Sequence, residues 1–133
     1  MNTIEHSEMV RVLVKPGEDI LRDLTPEKAH ILHMAVGVAG EAGELLDAVK
    51  KHTVYCKAID VENVIEELGD LEFYMEGVRQ ALGLTREQTL EANVAKLSKR
   101  YEGLKYSNQA AIDRADKVSE LVEKHKDVIS KLE

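Results

Sequence analysis

Four carboxylates stand out by their spacing. Glu41 and Glu44 lie three residues apart, and so do Glu67 and Asp70, within the stretch GEAGELLDAVKKHTVYCKAIDVENVIEELGD. On a helix an i, i+3 pair shares one face about a turn apart, so two such helices side by side aim four acids at one point. That much negative charge is costly to gather away from water, and a hard divalent cation relieves it. Mg²⁺ accepts carboxylate, water and phosphate oxygens together, so the chemistry suited to such a cluster is work on phosphates. Taken one at a time, each acid pair is also what any solvated helix shows.

The surroundings favour the metal reading. At about 100° per residue, Glu41 and Glu44 share a narrow stripe with His30, His33, Gly37, Ala48 and Lys51. An apolar stripe of Ile31, Met34, Ala35, Val38, Leu45 and Val49 runs beside it. The second acidic segment repeats the layout, with Asn63, Glu67, Asp70, Tyr74 and Gly77 beside Val64, Leu68, Leu71, Met75 and Val78. The acids therefore border a core. Glycines at 37, 40 and 43 each cost a helix about 1 kcal/mol relative to alanine, which suggests close approach by a helix or ligand.

Downstream, Asn93, Lys96 and Arg100 share another stripe. Two cations one turn apart suit phosphate oxygens, and Asn93 suits a phosphate, a sugar or a metal-ligating acid. Lys51 follows Glu44 by two turns, near a helix end where a cation is favourable in any case. His33 and Tyr74 are suited to packing against a base or sugar, and equally to a core.

These side chains need helices to position them. Thr25, Pro26 and Glu27 combine a hydroxyl cap, a proline at the first helical position and an acid near the positive end of the dipole. They predict a helix over about 26–52. Asp60 caps a second helix that Gly83 ends. Thr85 and Gln88 form a capping box for a third, running to about Tyr101 and stopped at Gly103. The two acidic helices are expected to meet this basic one. Residues 4–14 carry weak helix and strand periodicities, and KPGED reads as a break. Ser107 caps a last helix whose tail places Val118, Leu121, Val122, His125, Val128, Ile129 and Leu132 at 3–4 spacing, a stripe for partner packing.

Composition bounds the rest. A chain of 133 residues with 44% apolar residues reads as one domain, and four Tyr, one Phe and no Trp suit an aliphatic helical core. A net charge of −7 argues against coating nucleic acid. The lone Cys56 excludes an internal disulfide and fits a reducing compartment. With no long apolar run and no signal-peptide h-region, no membrane is implied and a cytoplasmic setting is expected.

ExxE, a gap, then ExxD, set in GEAGELLDAVKK and EELGDLEFY, resembles the MazG-type all-α nucleoside triphosphate pyrophosphohydrolases. EANVAKLSKRY and YSNQAAIDRADK resemble the segments that follow in small single-domain members, so the likeness spans about 25–117, between an N-terminal extension over 1–24 and a tail over 118–133. The resemblance implies an all-α antiparallel bundle completed by oligomerisation, as a homodimer or homotetramer. It implies Mg²⁺, with Mn²⁺ as a substitute, held by Glu41, Glu44, Glu67 and Asp70, one of which could instead orient or deprotonate the attacking water. Asn93, Lys96 and Arg100 match the family's downstream Asn, Lys and Arg pattern. The implied reaction splits a nucleoside or deoxynucleoside triphosphate between its α and β phosphates. Phosphoribosyl-ATP or dUTP hydrolysis on the same fold, or a non-catalytic helical interaction protein, are the alternatives.

Overall fold

The computed structural model describes residues 3–114, 126–130 and 132. Helices α1 (His6–Leu13), α2 (Gly17–Asp23), α3 (Pro26–Thr53), α4 (Val61–Ala81), α5 (Arg86–Arg100) and α6 (Asn108–Asp113) follow one another, with a 3₁₀ turn at Glu102–Leu104 and a further helical segment at Lys126–Ser130. The fold is all-α, with no strand among the described residues.

Each long helix begins where a side chain satisfies backbone N–H groups that no earlier turn can reach. Thr25 Oγ1 accepts from Lys28 N at 3.2 Å, with Pro26 in the first turn of α3. Asp60 Oδ1 accepts from Asn63 N at 3.0 Å. Thr85 and Gln88 bond reciprocally, at 3.1 and 2.8 Å. Ser107 Oγ accepts from Ala110 N at 3.0 Å. Gly83 (φ 67°) and Gly103 (φ 66°) supply the left-handed residues after α4 and α5.

Two segments differ from expectation. The break at Lys15 and Pro16 is brief, and α2 starts at once with Glu18 and Asp19 in its first turn, where acids suit the dipole. The helix that Ser107 caps closes at Asp113, with Arg114 left-handed at φ 45°, and does not run on unbroken into the tail. Of the predicted tail stripe, Val118, Leu121, Val122 and His125 lie outside the described residues.

The centre of the molecule is an antiparallel hairpin of α3 and α4. Two glycines set its closeness: a Cβ on Gly37 would overlap the Tyr74 ring, and one on Gly77 would overlap the Met34 side chain. Gly40 and Gly43 differ, since a Cβ at either would meet nothing within 4 Å. They face open space, so only Gly37 of the three clustered glycines admits a neighbouring helix. Among the described residues the only buried apolar side chains are Met34 and Ala48. Leu46, Val49, Val61, Ile65 and Leu68 remain exposed.

The connection between α3 and α4 is tied down. His52 Nδ1 lies 2.8 Å from Lys57 O, and Lys50 Nζ sits 5.6 Å from the centre of the Tyr55 ring. α5 is held to α4 by charge: Arg79, its side chain 12% exposed, bonds Glu76 at 2.8 Å and Glu72 at 3.3 Å, and Glu72 reaches Arg86 at 3.8 Å.

Candidate active site

Glu41 projects from the middle of α3 toward α4, and Glu67 from α4 toward α3. One carboxylate oxygen from each of Glu41, Glu67 and Asp70 lies within 4.8 Å of the others. Glu67 is 6% exposed and its Oε2 is buried with no hydrogen-bond partner. Burial, a hydrogen bond shared with Glu41 and the charges of Glu44, Glu41 and Asp70 push its carboxyl up to about 7. A bond between two carboxyls requires a proton on one of them. Near neutrality the cluster therefore holds a proton where a cation could sit. A buried oxygen without a partner, facing two further carboxylates, is the donor set a hard divalent ion takes, so the residues fit a metal.

Glu44 stands apart from these three. It is exposed and lines a groove with Gly40, Gly43, Asp47, Lys51, Asn63 and Glu67. Lys51 is engaged there, its Nζ 2.8 Å from Asp47 Oδ2, and the pair lowers the Asp47 carboxyl and raises the Lys51 ammonium. His33 meets Tyr74 edge-on, with ring centres 6.3 Å apart, and Tyr74 meets Phe73 at 5.2 Å and 88°. Asn63, on the predicted stripe with Glu67 and Asp70, does line the groove, whereas Phe73 and Asp47 escaped the sequence reading. Their signal is spacing: Phe73 follows Asp70 by three, and Asp47 follows Glu44 by three.

The basic stripe sits elsewhere within the chain. Asn93 joins Thr89, Leu90 and Arg86 around an apolar groove floored by Ala35, Val38, Met75 and Val78. Arg100 lines a separate groove with Glu102, Lys105 and Tyr106. Lys96 is half-buried on α5 and lines none of these grooves. None of these three grooves brings Lys96 or Arg100 together with Glu41, Glu44, Glu67 or Asp70.

A model of the MazG nucleotide pyrophosphohydrolase domain matches residues 30–104, more than half of the chain. The chain belongs to this family. The match takes in both acid pairs and all of α5, and stops before α6, so YSNQAAIDRADK lies beyond it. No curated protein and no solved structure matches the chain. As a MazG domain it is a hydrolase of nucleotide phosphoanhydride bonds, with a nucleotide as substrate. No helix among the described residues is long and apolar enough to cross a membrane.

Proposed function

We propose that this MazG domain hydrolyses a nucleoside or deoxynucleoside triphosphate between the α and β phosphates, giving the monophosphate and pyrophosphate, with Mg²⁺ held by Glu41, Glu67 and Asp70. The observation that carries this is the buried, unpartnered oxygen of Glu67, whose carboxylate clusters with Asp70 on its own helix and with Glu41 across the hairpin. When bound, the cation supplies Lewis-acid polarisation of phosphate oxygens and offsets charge on the leaving group.

The chain's own groups do the rest. Glu41 and Glu67 surrender their shared proton as the site fills. Glu44, exposed at the rim and outside the triad, orients the attacking water and takes its proton. The resulting oxygen bonds the α phosphorus, the bond from that phosphorus to the bridging oxygen breaks, and the electron pair leaves with pyrophosphate. His33 and Tyr74, with Phe73 beside them, offer ring surface one turn from Asp70 for the base or sugar. Asn93, Lys96 and Arg100 take phosphate oxygens, and Lys51 does so on leaving Asp47. The single cysteine supports a reducing, cytoplasmic setting.

The test is a panel of ribo- and deoxyribonucleoside triphosphates with Mg²⁺ and with Mn²⁺, scored separately for monophosphate, pyrophosphate and orthophosphate. Monophosphate and pyrophosphate in equal amounts are expected, and diphosphate with orthophosphate would overturn the assigned bond. Asp70→Asn should abolish turnover while the helical circular dichroism is unchanged. An active Asp70→Asn enzyme would remove the carboxylates from the mechanism.

A further inference from the structure

We infer that Lys51 reads the terminal phosphate of the substrate. The nucleotide lies along α3 with its base toward His33 and Tyr74 and its last phosphate toward Lys51, which leaves Asp47 only when a third phosphate is present. This rests on the catalytic reading above and adds the direction of the substrate and the choice of triphosphate over diphosphate.

The direction follows from the order of residues along the antiparallel hairpin. Gly37 of α3 lies against Tyr74 of α4, and Met34 against Gly77. Further along α3, Glu41 meets Asp70 and Glu67. Beyond them, the groove that Glu44 and Glu67 line continues to Asn63, Asp47 and Lys51. The charge of Asp60, the cap of α4, also raises the Lys51 ammonium, so this end of α3 faces the start of α4. The hairpin thus carries rings at one end, carboxylates in the middle and a lysine at the other end. At 1.5 Å of rise per residue, about 6 Å of helix separate Asp70 from Tyr74, and about 10 Å separate Glu44 from Lys51. A nucleotide is likewise aromatic at one end and anionic at the other. With the reacting phosphate at the carboxylates, matching these ends sends the base to the rings and the rest of the phosphate chain toward Lys51.

Lys51 is suited to that phosphate. Among the described residues lining the groove it is the only cation, and the other charged groups there are carboxylates, which repel a phosphate. The preceding Lys50 is turned to the Tyr55 ring. Lys51 Nζ lies 2.8 Å from Asp47 Oδ2, with the two side chains 55% and 51% exposed. An exposed pair of this kind is weak, whereas a terminal phosphate offers more charge and more oxygens than one carboxylate. A third phosphate therefore takes Lys51 from Asp47. The chain of a diphosphate ends nearer the carboxylates and leaves the pair closed. Gly40 and Gly43 line the groove between, where a Cβ would meet nothing within 4 Å, so the path stays open.

Binding and turnover test this separately. Calorimetric titrations with Mg²⁺ compare the α,β-methylene analogues of one nucleoside triphosphate and of its diphosphate, neither of which can be split at that position. The wild type is expected to bind the triphosphate analogue more tightly. Lys51→Ala should lose roughly ten- to a hundredfold in affinity for the triphosphate analogue and nothing for the diphosphate analogue. Asp47→Asn should tighten the triphosphate analogue while Lys51 is present and change nothing in a Lys51→Ala background, the coupling expected of two residues that act through one contact. Lys50→Ala serves as the control of equal charge. Equal losses on the two analogues, as when the nucleotide lies the other way round with its base at Lys51, overturn the proposal. So does a Lys51→Ala protein with wild-type affinities, or a wild type that binds neither analogue. In steady state, Lys51→Ala should show the same loss in kcat/KM for the triphosphate. If the wild type binds as expected yet releases no pyrophosphate from any nucleotide, the catalytic reading fails and the assignment of Lys51 stands.

Discussion

Glu67 carries the sharpest expectation at the level of single residues. Its carboxyl is held up to about 7 in the folded chain, above its ordinary 4.5, first by burial and then by the acids around it. Between those two values the folded state binds more protons than the unfolded one, so metal-free stability falls as pH rises through that window and stays low above it. The metal-free protein should therefore melt at lower temperature at about pH 8 than at about pH 5.5, and Glu67→Gln should flatten that difference. Mg²⁺ should raise the melting temperature of the wild type at the higher pH. A difference of the same size in Glu67→Gln would assign the pH dependence to other groups. On α5, Lys96→Ala and Arg100→Ala should each lower kcat/KM by roughly ten- to a hundredfold, the worth of a charge-assisted phosphate contact. Lys99→Ala, on the exposed face, serves as the control. Equal, small effects in all three would leave α5 as scaffold. That Glu41 can meet Glu67 and Asp70 is legible in the sequence, because i, i+3 spacing on two helices dictates a shared face. That Glu44 stands outside the triad is not, since the rotation of each helix is set by which residues its neighbour accepts.

The hairpin depends on two positions where one helix has no side chain and the other fills the space. Gly37→Ala forces a methyl into the Tyr74 ring and should cost about 1–3 kcal/mol, read as a lower denaturation midpoint. Gly43→Ala meets nothing within 4 Å and removes a helix-weakening glycine, so it should raise stability by up to about 1 kcal/mol. The same methyl stands in the carboxylate groove, and activity against stability separates the two effects. Opposite stability changes at these two glycines are the expected signature, and equal ones would mean the hairpin is not closed at Gly37. Helix starts are legible because a cap acts within three residues: Thr25, Asp60, Thr85 and Ser107 each bond the backbone N–H three positions on. α2 is not, because its seven residues follow Pro16 and Gly17, a pair that reads as a break. The flank taken by α5 is not legible either. A helical wheel orders residues around one axis and carries no information on the turn at Gly83 that aims the next axis.

For the whole molecule, the exposed hairpin face predicts self-association. Light scattering at micromolar concentration should give the mass of at least two chains, and a stable monomer would contradict this. One contact described above then takes on a further meaning. Glu72 and Arg86 are each about half exposed and lie 3.8 Å apart, so dissolved ions compete with them directly. Their pairing fixes the bearing of α5 while the nearly buried Arg79 holds Glu72 from the other side. Raising ionic strength should loosen α5 without melting the hairpin, and the Michaelis constant should climb more steeply with salt in the wild type than in Glu72→Gln. The cations of α5 would then be delivered by an arm whose set depends on the saltiness of its surroundings, joined to a hairpin that is indifferent to it.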